Sequence, residues 1–190
     1  MTSKKSKIII RAKRVLIALL FFVTLQLSAQ NNAVAKHFDD FIAKHSVKIS
    51  YVSQDMFNTI MKKNEDEYEK ELTDVMRSLS SLHVVTSYKK NPDRQYNEAM
   101  KVMRKTDYEL LFTKEDQVDK FSLFIKKKRN KINEMVLVAR DHVDFVILDI
   151  TGDIDLNSIV YLGEALHFQG SEFLDQMNLS EAELRKLHID

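Results

Sequence analysis

The chain contains no cysteine and no tryptophan, and only three glycines and one proline among 190 residues. Without cysteine there is no disulfide, no thiol nucleophile, no thiol redox chemistry and no Cys-ligated zinc. The fold must be held by its hydrophobic core alone. Few glycines and prolines, and no Ser- or Gly-rich run, leave no internal linker, repeat or low-complexity segment. Also missing are a G-x-S-x-G elbow, an S-x-x-K with its supporting motifs, a P-loop and a G-x-G-x-x-G turn. A Ser-His-Asp triad assembled only in space leaves no such trace and stays open.

Acids are absent from the first thirty residues, and that absence is informative. Lys4, Lys5, Lys7, Arg11, Lys13 and Arg14 form a cationic start. Residues 15–27 are almost wholly apolar, and small polar Ser28-Ala29-Gln30 follow. This order predicts a secretory signal peptide over residues 1–30, followed by one domain over 31–190. The apolar run is about 13 residues, short of the roughly 20 that span a bilayer, so an uncleaved anchor is the weaker alternative. Cleavage fits after Ala29 or Gln30, with Gln30 preferred because Ser28 and Gln30 then hold the two recognition positions. With no cysteine for lipidation, the expected product is exported, periplasmic or secreted, and without a stable membrane anchor.

Removal of the leader leaves 23 Lys and Arg against 28 Asp and Glu, about −5. A mildly acidic domain is a poor nucleic-acid or acidic-lipid binder by net charge. Its 160 residues suffice for one sizeable core.

Periodicity predicts the order αβααβαββββαα. Residues 33–45 read as a helix, with Val34, Phe38, Phe41 and Ile42 on one stripe. Residues 47–52 alternate as a strand, 56–61 and 65–79 read as helices, and 82–88 as a β-branched strand. Asn91-Pro92 opens a helix running to about Lys105. Strands follow at 108–113, 120–126, 134–140 and 143–150, the last two joined at Asp141-His142. Residues 145–150 are nearly continuously apolar, which suits a strand covered on both faces. Helices are expected from Asp155, near Phe173 and after the Ser180–Glu183 capping box. The predicted class is α+β: a mostly antiparallel sheet of five to six strands with helices on one face.

The densest polar stretch, Asp149 to Asn157, nearly spells a calcium loop from Asp153. Asp153, Asp155 and Asn157 stand at positions one, three and five, and Glu164 at twelve. Ser158 occupies the position that needs glycine, and a strand precedes the loop. The favoured reading is a structural turn in which Gly152 bends the chain and Asp153 or Asp155 caps a helix, so no metal and no cofactor are expected. Lys126, Lys127, Lys128, Arg129 and Lys131 form the one basic run, predicted at a hairpin tip. It reads as a solvated turn or as a contact for an envelope protein or an anionic envelope component. No aromatic is interleaved, which argues against nucleic acid. None of His37, His45, His83, His142, His167 or His188 has ligand spacing. Acids 65, 67, 69 and 71, mixed with Lys62, Lys63 and Lys70, read as a solvated helix face. Met56, Met61, Met76, Met100 and Met103 read as core filler.

The stretch Ile132-Asn-Glu-Met-Val-Leu-Val138 with Phe145-Val-Ile-Leu-Asp-Ile-Thr-Gly-Asp-Ile-Asp-Leu156 resembles an exported bacterial family catalogued as domain of unknown function 4252. Thr151-Gly152-Asp153-Ile154-Asp155-Leu156 is the most specific part. The resemblance implies a small exported protein in an envelope or stress context, some members being lipid-anchored through a cysteine that this chain lacks. It implies no catalytic residues. The expectation is a non-enzymatic binding or interaction module. The alternative is an envelope hydrolase with a dispersed site, which would gather two or more acids, or a histidine of shifted pKa, in one pocket.

Overall fold

A computed structural model describes residues 32–63, 70–87 and 91–156, together with Ile159, Leu162 and Phe173. The chain divides into two units, Met1–Asn31 and Asn32–Asp190, and every described residue lies in the second. Two short helices, α1 (Ala33–His37) and α2 (Asp39–Lys44), open the described chain. They are followed by β1 (Lys48–Ser53), α3 (Gln54–Lys63), α4 (Lys70–Ser78), β2 (Leu79–Ser87) and α5 (Pro92–Met103). The strands β3 (Glu109–Glu115), β4 (Lys120–Lys128), β5 (Lys131–Arg140) and β6 (Phe145–Ile154) complete it. The single helix expected over 33–45 is interrupted at Phe38, a fully buried side chain that leaves helical geometry at ψ 7°.

One six-stranded sheet runs β1-β2-β6-β5-β4-β3, and every neighbouring pair is antiparallel. The α+β class and the strand number are as expected, whereas the helices lie on both faces of the sheet. On one face α3 and α4 bring Phe57, Met61, Leu72, Val75 and Met76 against Leu123, Leu137, Leu148 and Ile150. On the other, α1, α2 and α5 bring Val34, Phe38, Phe41, Tyr96 and Met100 against Phe124, Val136, Val138 and Ile147. The reason is periodicity. Strand side chains alternate between faces, so the unbroken buried run Phe145–Ile150 sends apolar groups both ways. Each face then needs an apolar cover.

Turn chemistry fixes the registers. Asn91, left-handed at φ 87°, caps α5 by accepting from the Arg94 amide at 3.0 Å, with Pro92 in the first turn. Asp141 accepts from the Val143 and Asp144 amides at 2.6 and 2.7 Å and closes the β5–β6 hairpin. Arg129 and Asn130 join β4 to β5 with φ of 53° and 64°, the two positive angles of a type I′ turn. Gly152 lies within β6 rather than in a turn beyond it, at φ 149°. A Cβ there would strike the Ser78 carbonyl oxygen and the Leu79 Cα, so only glycine lets β2 begin so close to β6.

Candidate functional site

A row of polar side chains crosses the α1 face of the sheet. Tyr51 on β1 stands opposite His83 on β2, and His83 stands opposite Asp149 on β6. Asp149 pairs in register with Val136, one same-face step along β5 from Glu134. His83, Glu134 and Asp149 are 6%, 4% and 0% exposed. Acids are seldom buried so fully without a cation. Here one oxygen of each carboxyl accepts from a backbone amide. The amide of Ala33 donates to Glu134 Oε1 at 2.6 Å, and that of Val34 donates to Asp149 Oδ2 at 2.9 Å. Asn32 completes the seal. Its side-chain Oδ1 accepts from the Ala35 amide at 2.9 Å, and its Nδ2 lies 3.3 Å from His83 Nε2.

Protonation follows from burial. Burial, and then the neighbouring Glu134 charge, hold the Asp149 carboxyl well above the usual carboxylate range. Burial lowers the His83 imidazole, which keeps it neutral and lets Nε2 accept from Asn32. Burial, and then a hydrogen bond with Glu134, raise the Tyr108 hydroxyl. Asp149 Oδ1 and His83 Nδ1 have no hydrogen-bond partner among the described residues. The arrangement can hold a proton and anchor a helix start. Its two acids and its histidine are buried, whereas Tyr51 at the end of the row is exposed.

Sequence reasoning missed this row. The available signal was an acid within each of two strands that are otherwise buried: Glu134 in β5 and Asp149 in β6. Asp149 is also separated from the polar stretch it adjoins in sequence. It is buried, while Asp153 is exposed and ion-paired to Lys131. Asp153 and Asp155 border a cleft of about 400 Å³ with Asp74. Among the described residues no group of three or more His, Asp or Glu is placed to hold a metal. Asn157, Glu164, His167 and His188 lie outside the described residues.

The basic run divides in two. Lys126 contacts Asp107 at 2.8 Å and lies 5.0 Å over the Tyr108 ring. Lys127 lies 3.6 Å from Glu109. Lys128 and Arg129 sit exposed at the turn with no ion pair among the described residues. On the same sheet face, a groove of about 550 Å³ runs between α5 and the β3–β4 edge. Elsewhere α2 is tied to α5 by Glu98, which meets Lys44 and His45 at 2.8 Å and Arg94 at 3.0 Å. Those hydrogen bonds, that from Lys44 foremost, lower its carboxyl to about 2.

The fold is thus an antiparallel α+β domain with both faces covered and an acid pair sealed beneath its first helix. The family described as Domain of unknown function (DUF4252) matches residues 41–162, well over half of the chain, and the chain belongs to it. No curated protein and no solved structure matches it. Among the described residues, no helix is long and apolar enough to cross a membrane.

Proposed function

We propose that this protein is an exported, non-enzymatic interaction module of the bacterial envelope. The closure of the acid–histidine row carries the reading. Two acids and a neutral histidine gather at one place, yet all three are buried, and Glu134 Oε1, Asp149 Oδ2 and His83 Nε2 face the Ala33 amide, the Val34 amide and the Asn32 side chain. Such a row anchors a helix. Recognition then falls to the surface, where Lys128 and Arg129 stand at a hairpin tip with no ion pair among the described residues. Arg129 occupies a left-handed position that costs an ordinary residue about 1 kcal/mol or more. The cationic leader supports export.

The test is salt-dependent capture of a partner from envelope extracts. Lys128→Ser with Arg129→Ser should abolish capture at low salt and leave the melting curve in place. Undiminished capture by that variant would remove the tip from the reading. Lys126 is a poorer probe, because it also holds Asp107 and Tyr108. The hydrolase alternative draws on the same acid row, which would open if α1 lifted. Turnover of an envelope substrate that disappears in Asp149→Asn while the fold persists would replace the module reading with that one.

A further inference from the structure

The groove beside α5 has a one-sided charge. Asn97, Lys101 and Arg104 follow one another at i, i+4 and i+7, so they form a single flank of the helix overlooking the groove. The facing wall is the edge strand β3, with Leu110 and Thr113. Phe124, Tyr96 and Met100 make the floor, and all three are buried. A chain of hydroxyls runs along one end. Tyr96 and Thr113 each lie 2.6 Å from Ser122 Oγ. Lys120 stands there too, 5.4 Å over the Tyr96 ring and 2.7 Å from Glu115.

Among the described residues no acid lines this groove. Lys101 and Arg104 are exposed, and neither side chain has an ion pair or hydrogen bond among the described residues. Lys44, Arg94 and Lys131, by contrast, are each paired with an acid. Two uncompensated cations one helical turn apart, with an amide and a threonine hydroxyl nearby, suit a doubly charged oxyanion. A carboxylate supplies one charge, whereas a phosphomonoester supplies about −1.5 to −2 and three acceptor oxygens. The volume lies within the range of small-molecule sites.

We propose that this groove is a binding site for a soluble phosphomonoester, with Arg104 and Lys101 holding the phosphate and the exposed Asn97 amide and Thr113 hydroxyl meeting its polar body. The inference rests on the binding-module reading and gives that module a small-molecule ligand. It does not use the hairpin tip.

Calorimetric titration of the purified protein with glucose 6-phosphate tests it, with glucose, glucose 6-sulfate and phosphatidic acid vesicles as parallel probes. Glucose 6-phosphate should bind saturably, at least tenfold more tightly than the singly charged sulfate, and glucose should not bind. Arg104→Gln and Lys101→Gln should each weaken it tenfold or more. Lys128→Gln should leave it unchanged. Both groove residues are exposed, so the variants should keep the native melting temperature, which circular dichroism verifies. Absence of saturable binding, or equal affinity in Arg104→Gln, overturns the proposal. Vesicle binding without glucose 6-phosphate binding overturns it in favour of a membrane contact. Failure here with partner capture intact leaves the module reading standing; failure of both removes it.

Discussion

Asp149 illustrates how a single side chain couples fold to pH. Its native carboxyl titrates above its ordinary value of 3.8 because burial and Glu134 disfavour the charge. A raised native value means stability is fully present below the unfolded value and is lost as pH rises through the native one. His83 runs the other way. Its lowered native value means stability is present above 6.5 and falls as pH drops below that. The domain should therefore weaken from neutral to alkaline pH, by up to about 1.4 kcal/mol per pH unit. Asp149→Asn, which carries no charge to bury, should flatten that limb. Urea midpoints at pH 6 and pH 9 check it, and a parallel alkaline loss in the variant would refute the assignment. Gly152 gives a second residue-scale prediction. Gly152→Ala should cost about 2 kcal/mol or more, because the methyl meets β2 backbone rather than a movable side chain. A melting temperature within a degree of the native one would contradict it.

At the scale of elements, α1 is the part held least by its own residues. Five residues are too few for a stable helix in isolation. What fixes it are the Asn32 cap, the two carboxylates and the burial of Ala33 and Val34. Glu134→Ala should orphan the Ala33 amide and cost about 1–3 kcal/mol. Hydrogen exchange should then quicken at the Lys36 and Phe38 amides, which bond to Asn32 and Val34, while α5 keeps its protection. Equal acceleration across both helices would mean the carboxylate supports the whole domain rather than α1. The β4–β5 turn offers the opposite sign. Arg129→Gly relieves a left-handed backbone and should stabilise by about 0.5–1 kcal/mol, read as a higher melting temperature.

For the whole molecule, the sheet is a partition between two cores, and the segment Asn32–Val34 closes one of them. Cleavage after Gln30 would leave Asn31 at the amino terminus, one residue before the Asn32 cap. A chain beginning at Asn31 should melt several degrees above one beginning at Ala35, which lacks the cap and both anchoring amides. Equal melting temperatures would show that α1 adds nothing to stability. Mass measurement of the protein recovered from its cells tests whether and where the leader is removed.

Local chemistry is what the sequence determined. Alternation, β-branched residues and apolar runs marked the six strands, Asn91-Pro92 marked the start of α5, and Asp141 marked a hairpin, because each depends on neighbours a few residues apart. The apolar run of β6 even implied two covered faces, although helices were expected on one. Only the tertiary structure decided the rest. Glu134 meets Ala33 across 101 residues and Asp149 meets Val34 across 115. No spacing encodes such pairs, since sheet order β1-β2-β6-β5-β4-β3 brings distant strands side by side. The same holds for the groove, where α5 and β3 acquire a shared cavity only by packing on one face. Periodicity fixes which way a side chain points, and long-range pairing decides what it meets.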